Sequence, residues 1–445
     1  MINAMETQLA GWFLARIMEK GADCARVVFY KSSCRIVETL NGEIDKISRT
    51  SDTTLVVNLV NDGRFGSFST NRLDRNDLEA FADRCLSMAA TLEKDPFRKL
   101  PDPQLVCRDA ASGYETEAFD SKAAEIQDEE LISRVLDLAL FGKRVSPEWK
   151  LVSEESQLDA SVVGIYLIDS QGTECRHYES AFEYSTEVTI EDAEGDLYSG
   201  YSWNSDAFLG GLKAEDCGDR ALEKACAQIG SEAVSGRTCN MVVDRDVASR
   251  MVSPLLAALD GYGLQQNNSF LLDSMGKQLF PEGLTIKDFP RAKGSNQSKY
   301  FDKEGVATYD FPIIDKGVVK TYFTDSYIAG KLAVDRMPCS AVHPKLMPWP
   351  KEGTDREDLI KLCSSGILVT GFNGGNSNPS TGDFSYGIEG FLFEDGRIVK
   401  PVSGMLVTGN FLSLWNNFIA SADDSRPYMS KLIPTLAFCN VEFNG

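Results

Sequence analysis

The sequence has 445 residues, with 45 Lys and Arg against 66 Asp and Glu, which gives a formal net charge of −21. A chain this acidic is a poor partner for nucleic acids, whose binding depends on Lys and Arg displacing counterions from phosphates. The only two histidines, His177 and His343, are too far apart in sequence to form a local His-x-x-His or His-Glu-x-x-His metal site.

The cysteine content and the absence of apolar runs predict a cytoplasmic protein. The 11 cysteines are odd in number and irregularly spaced, which favours reduced thiols over a disulfide framework or a zinc ribbon. The first residues have neither a basic start nor the apolar core of a signal peptide. No apolar run approaches the roughly 20 residues that span a bilayer.

The sequence pattern of residues 1–95 predicts an N-terminal α/β domain. A helix carries apolar side chains on one face and ends near Gly21. Strands follow at 25–30 and 53–60, and the turn chemistry of residues 61–63 leads into a strand at 64–68. A second helix begins at Leu73, with a buried stripe formed by Leu78, Phe81, Ala82, Cys85, Leu86 and Ala89.

The sequence pattern of residues 96–234 predicts a middle α+β domain. A Pro-containing connector extends to residue 119 and is followed by a helix over about 121–141. Long strands are predicted at 161–169 and 176–190. An acidic turn at 191–196 then leads into a strand at 197–203, and a helix carrying Leu212, Leu222 and Ile229 ends the domain.

Residues 235–445 predict a mostly β domain. It begins with a strand at 241–243 and a helix over 247–259, and two Asp-containing turns, 315–317 and 394–396, indicate hairpins. A helix over 411–420 precedes a final strand at 436–443. Taken together, the segments predict an α+β fold with large antiparallel or mixed sheets and flanking helices.

Few residues suggest chemistry by themselves. The Gly- and Asn-rich stretch 371–383 is either a long irregular loop or a segment whose backbone groups are exposed to a bound chain. Cys175 and His177 share one face of a predicted strand and could form a nucleophile and base or two metal ligands, although no orienting third group is evident. No phosphate-binding loop and no serine nucleophile motif occurs.

Several ordered motifs resemble the TldD/PmbA family, whose members are described as modulators of DNA gyrase and as peptide-processing metalloproteases. The C-terminal signature lies at 378–385, Gly390, 394–402 and 409–410. Further matches lie at 42–43, 63–66, 69–73, 269–276, 302–306, 315–317 and 324–327. The resemblance covers nearly the whole chain.

The resemblance also implies that the metal site is degenerate. The catalytic TldD type has a His-Glu-x-x-x-His helix and a late cysteine. Counting back from Ser269 places that motif at residues 251–256, with Met251, Val252 and Leu256 at the ligand positions. These side chains do not bind zinc, and Cys439, in the last strand, is no counterpart of the late cysteine. Residues 235–445 therefore resemble a degenerate metalloprotease domain.

The resemblance implies the PmbA, or TldE, type: a non-catalytic subunit that closes a peptide chamber beside a TldD-type partner bearing the HExxxH motif. No cofactor is expected on this chain, with zinc on the partner, and a homodimer is expected in isolation. The expected partners include a peptide but no nucleic acid and no membrane. The peptide-binding candidates are Gly374, Gly375, Asn376, Asp383 and Asn410. The alternatives are a stand-alone hydrolase with a non-metal nucleophile and a protein-binding modulator of gyrase.

Overall fold

The computed structural model describes residues 1–445 as two compact units, each built from separate stretches of the chain. The first unit contains Met1–Leu222, Pro290–Tyr309 and Asp325–Arg336. The second contains Glu223–Phe289, Asp310–Thr324 and Met337–Gly445. None of the helices has the length and apolar character needed to cross a membrane.

The helices are α1 Ala4–Glu19, α2 Arg75–Ala89, α3 Asp128–Leu138, α4 Cys217–Ala227, α5 Ser249–Ala258, α6 Gly261–Gln265, α7 Ser326–Leu332, α8 Arg356–Cys363 and α9 Phe411–Asn416. The strands are β1 Cys24–Leu40, β2 Glu43–Asn61, β3 Arg64–Thr70, β4 Trp149–Asp169, β5 Glu174–Asp192, β6 Leu197–Asp206, β7 Arg237–Val243, β8 Ile286–Asp288, β9 Phe311–Asp315, β10 Val318–Val319, β11 Pro344–Leu346, β12 Gly366–Ser377, β13 Asp383–Glu394, β14 Arg397–Asn410, β15 Phe418–Ser421 and β16 Leu436–Asn444. Long antiparallel strands beside helices confirm the predicted α+β class.

The first unit is organised around one antiparallel sheet with the strand order β3-β2-β1-β4-β5-β6. Strands from residues 1–95 and from residues 96–234 therefore pair with each other in a single sheet. Helices α1 and α2 bury Phe13, Ile17 and Leu78 in a cluster with sheet residues such as Phe29 and Leu55. Helix α3 packs in a second cluster that contains the fully buried side chains of Phe182 and Tyr184 of β5.

Two later stretches of the chain complete the first unit. Phe301 packs with Cys107, Leu167 and Cys175. Arg336 forms a buried ion pair with Asp302 and also contacts Glu304 at 3.2 Å. The Phe301 packing attaches residues 290–309 to the long sheet, and the Arg336 ion pairs attach residues 325–336 to residues 290–309.

The second unit contains a six-stranded sheet with the order β14-β13-β12-β7-β16-β15. Strand β14 also pairs with β16 through Leu406 to Thr408, so five strands close into a ring. Only the pair β12 and β7 is parallel, and this pairing ends at Val369 opposite Val243. A small sheet, β10-β9-β8-β11, and helices α5 and α9 surround the main core of this unit.

Besides the predicted helix carrying Leu212, Leu222 and Ile229, which covers only Cys217–Ala227, three predicted elements differ from the structure. The helix expected over 121–141 covers only Asp128–Leu138, because Arg35 donates hydrogen bonds to the carbonyls of Ala123 and Ile126, which a longer helix would use internally. The helix expected over 411–420 ends at Asn416, and Phe418–Ser421 forms β15 against β16.

The third difference concerns the stretch 371–383. It is not a long irregular loop, because β12 continues to Ser377 and pairs with β13 across two bulges. Gly374 and Gly375 adopt φ values of +74° and +87°, which lets the bulge form without steric strain. Only residues 378–382 form the connecting turn.

Candidate functional site

A groove of about 620 Å³ lies in the second unit between helix α5 and the outer part of strand β12. Its lining residues are Val247, Ser249, Arg250, Ser253, Pro254, Phe372, Gly375, Asn376, Ser377 and Tyr386. The helix contributes side chains at spacings of three and four residues, which places them on one face.

One wall of the groove is a free strand edge. Strand β7 stops pairing with β12 at Val369, whereas β12 continues to Ser377 with only β13 beside it. The second edge of residues 370–377 therefore has no strand partner, and it borders the groove. A free edge of this kind offers backbone donors and acceptors to an extended chain.

The opposite wall is α5, whose core face is closely packed. Met251 and Val252 are fully buried and Leu256 is 9% exposed, so none of the three predicted degenerate ligand positions faces the groove. The indole Nε1 of Trp415 donates to the carbonyl oxygen of Met251 at 3.2 Å, which ties α5 to α9. The face of α5 that lines the groove carries Ser249, Arg250, Ser253 and Pro254 instead.

The base of the groove is aromatic. Tyr386 is 2% exposed, stacks on Phe384 at 5.5 Å between ring centroids, and meets Phe372 edge-on at 5.7 Å. The guanidinium of Arg250 lies over the Tyr386 ring at 4.5 Å, within the range of a cation–π contact. This contact holds the Arg250 guanidinium against the aromatic base of the groove.

A charged cluster supports the segment that leads into α5. Asp246 accepts hydrogen bonds from Arg426 and from Lys224 Nζ, the latter at 2.8 Å. Burial alone would raise the pKa of Asp246, but the Arg426 hydrogen bonds and the Lys224 charge hold that pKa down at about 2. The carboxylate is therefore ionised at neutral pH.

The five peptide-binding candidates fall into two groups. Gly375 and Asn376 line the groove, and Gly374 is exposed beside them in the same bulge. Asp383, the first residue of β13, pairs with Asn410, the last residue of β14, beside the neighbouring turn, and the amide of Asn410 donates to Asp383 Oδ1 at 2.9 Å. That bond and the one from Thr381 lower the pKa of Asp383. Sequence reasoning did not identify Ser249, Arg250 and Ser253, because their position on the groove face of α5 is fixed by tertiary packing.

The donor set of the groove does not fit zinc. Hydroxyls, an amide and a permanently protonated guanidinium line it, whereas zinc sites in proteins use thiolates, imidazoles and carboxylates. Nowhere in residues 1–445 do three or more His, Cys, Asp or Glu side chains form a group that could hold a metal ion.

The pair Cys175 and His177 has little support as a nucleophile and base. Cys175 is fully buried, and its Sγ donates to the carbonyl oxygen of Cys107 at 3.6 Å. Its hydrogen bond with the Cys107 side chain, together with burial, raises the pKa of the Cys175 thiol far above its usual range. His177 contacts Glu179 through Nε2 at 2.9 Å and not Cys175. A thiol held protonated in the core is a poor nucleophile.

Family models match three consecutive segments of the chain. The PmbA/TldA metallopeptidase domain 1 matches residues 25–89, the central domain of the same family matches 121–229, and its C-terminal domain matches 235–445. The chain is 27% identical over 433 residues to a metalloprotease PmbA homologue of Haemophilus influenzae, covering 95% of this chain and 93% of the relative.

Solved structures give the same result. A Bacteroides thetaiotaomicron protein described as a candidate modulator of DNA gyrase is 35% identical, with a TM-score of 0.93 and full coverage of both chains. TldE from Thermococcus kodakarensis shares the fold at 20% identity, with a TM-score of 0.79 and full coverage of both chains. The matches to all three domains and the 35% identity over the full length establish that the chain belongs to the PmbA/TldD family.

Proposed function

We propose that the chain is a non-catalytic, PmbA/TldE-type subunit that binds extended peptides for a TldD-type metalloprotease partner. The observation that carries the proposal is the groove between α5 and the free edge of β12, whose walls offer peptide-binding groups and no metal ligands. A bound peptide would add a strand to β12 and place its side chains between α5 and the Tyr386 ring.

The family relationship supports a peptide-binding role for this chain and a catalytic role for the partner. The relatives carry the metalloprotease name and one solved structure with the same fold is a TldE. The motif spacing His-Glu-x-x-x-His also fits the groove face of α5 at Ser249, Arg250 and Pro254, two residues before the positions counted from the sequence. In either register, the residues present are not zinc ligands. Zinc chemistry therefore belongs to the partner in this proposal.

The test is co-purification with an HExxxH-bearing homologue from the same genome, followed by a peptide-cleavage assay. We expect the two chains to associate and cleavage to depend on both, with chelators abolishing it. Failure to associate, with no effect of this chain on cleavage by its homologue, would disprove the proposal.

A groove-filling variant distinguishes peptide binding from assembly. Ser253→Trp places an indole in the groove, and we expect it to reduce peptide cleavage by the complex while the two chains still associate. Leu362→Trp is the control, because Leu362 is 57% exposed on α8 and does not line the groove. Equal activity of the two variants would show that the groove is not the peptide site.

A separate measurement tests the stand-alone hydrolase. The isolated chain should not cleave peptides, and Cys175→Ala should leave cleavage by the complex unchanged, because the buried thiol reaches no substrate. Chelator-insensitive cleavage by the isolated chain that disappears in Cys175→Ala would favour the hydrolase.

A further inference from the structure

Arg250 carries the only formal charge among the residues that line the groove. The other nine lining residues are apolar or neutral polar, and none is acidic. The chain has 66 acidic residues against 45 basic ones. Although the chain as a whole is acidic, no carboxylate among the lining residues neutralises the positive charge of Arg250 in the groove.

The guanidinium is held in place without a carboxylate partner. It lies over the Tyr386 ring at 4.5 Å, and its Nη2 donates to the carbonyl oxygen of Gly375 at a long 3.5 Å. A guanidinium has five N–H donors, so most of its hydrogen-bonding capacity remains available. Arg250 also lies in the first turn of α5, where a positive charge is disfavoured by the helix dipole.

The bond from Arg250 to Gly375 links the two walls of the groove. Gly375 lies in the β12 bulge and has no partner in the pairing register with β13. Its carbonyl oxygen accepts from Arg250 on α5, so it points to the side where an added strand would pair. A peptide lying along this edge would therefore meet the guanidinium.

We propose that Arg250 is the specificity-determining residue of the groove and binds a carboxylate of the peptide, with the hydroxyls of Ser249 and Ser253 as additional donors. The inference rests on the proposed function, because it names the substrate class of the same groove. The carboxylate is either the α-carboxylate of the peptide's last residue or an acidic side chain. Arginine binds both in the same two-pronged geometry.

The experiment measures binding of randomised hexapeptide pools, labelled with fluorescein at the N-terminus, to the full chain together with its HExxxH-bearing partner, whose own motif is inactivated. One pool has free C-terminal acids, a second has C-terminal amides, and a third has free acids but lacks Asp and Glu. Each pool is tested against the wild type, Arg250→Gln and Arg397→Gln. Arg397 is an exposed arginine at the start of β14 outside the groove, so it controls for the loss of one charge.

For the free-acid pool, we expect Arg250→Gln to weaken binding about tenfold or more, the usual scale for a hydrogen-bonded charge pair. Arg397→Gln should bind like the wild type. A preference of the wild type for acids over amides that disappears in Arg250→Gln identifies the α-carboxylate. A preference for pools containing Asp and Glu that disappears in the same variant identifies an acidic side chain.

Equal binding of the free-acid pool by the wild type and Arg250→Gln would overturn the inference and leave the proposed function standing. Absence of binding of every pool to the wild-type complex would overturn both. Equal thermal unfolding of the three proteins confirms that a change in binding reflects the groove and not the fold.

Discussion

The outer part of β12, which forms one wall of the groove, and the turn that follows it belong to the same Gly- and Asn-rich stretch, 371–383, but they differ in how their polar groups are satisfied. In the turn, the backbone N–H of Gly382 donates to Asn378, and the amide of Asn410 reaches both the carbonyl of Thr381 and Asp383. In the groove, the outer edge of β12 lacks a strand partner, and Arg250 has one long hydrogen bond.

The difference shows that similar composition serves two purposes. A polar group that is already hydrogen bonded within the chain stabilises the fold, whereas one left open on a wall is available to a ligand. Substitutions in the turn should therefore cost stability, and substitutions of the open groove side chains should cost binding only. The following predictions test that contrast, from the largest expected effect on stability to the smallest.

The largest effect is expected for Gly375→Ala, which tests the backbone geometry of the groove wall. A Cβ there would lie 2.1 Å from the carbonyl oxygen of Ser385, and φ is +87°. We expect a loss of about 3 kcal/mol or more in the free energy of unfolding, measured by chemical denaturation. Gly374→Ala is the matched control, because its φ is +74° but nothing lies within 4 Å of the new Cβ. Its expected loss is about 1 kcal/mol, and equal losses would contradict the steric argument.

Asp246→Asn tests the charged support behind the groove's helical wall. In the folded state the pKa of Asp246 is about 2, below the ordinary value of 3.8. The ionised carboxylate therefore stabilises the fold above pH 4, and this stabilisation is lost as the pH falls towards 2. The variant should lose about 2 kcal/mol at neutral pH, and the difference from the wild type should shrink between pH 4 and pH 2. Glu352→Gln, at an exposed residue, should show no such convergence.

Asn410→Ala tests the turn, whose polar groups are hydrogen bonded within the chain. The side chain donates to Thr381 and Asp383 and also caps α9 by accepting from the backbone N–H of Leu412 at 3.0 Å. We expect a loss of about 1.5 kcal/mol in urea denaturation. Asn373→Ala removes a single 3.4 Å contact to Glu389 and should cost less than about 0.5 kcal/mol. A larger loss of unfolding free energy in Asn373→Ala than in Asn410→Ala would contradict the expected difference between the groove and the turn.

The smallest effects on stability are expected for Arg250→Gln and Ser253→Ala. Both side chains line the groove, and their removal leaves no buried partner unsatisfied. Their thermal unfolding should match the wild type within about 0.5 kcal/mol. A loss of 2 kcal/mol in either variant would show that the groove polar groups are structural, like those of the turn.

Much of the fold was predictable because its signals are local. The turn at Asn61–Gly63 and the stripe of α2 follow directly from turn chemistry and helical spacing. The shortening of the helix at 121–141 was not predictable, because it depends on Arg35, which is remote in sequence. Strand β12 was missed beyond Gly371 because glycine and asparagine are poor strand formers, and its pairing with β13 overrides that preference.

The candidate site was predictable only in part. From the two segments singled out in the sequence, Ser253 and Pro254 on α5 and Gly375 and Asn376 on β12 line the groove, whereas peptide binding by these residues stays a prediction. Which face of α5 meets β12 depends on tertiary packing, because Met251 and Val252 pack inward against α9 and the core. Arg250 was missed because a single arginine in a helix has no distinguishing signal until its neighbours are known.

The discontinuous first unit has a consequence for how the protein is made. The chain leaves this unit after Leu222 and returns at Pro290 and again at Asp325, ending with Arg336. A ribosome that has finished the long sheet at Asp206 must therefore add 130 residues, 207–336, which takes about 6–26 s, before the unit is complete. Until residue 301 has been made, Cys107, Leu167 and Cys175 lack the cover of Phe301, and we expect the nascent chain to expose an apolar patch. We expect truncation at residue 234 to give an aggregation-prone fragment, and chaperones to associate with the chain during this interval.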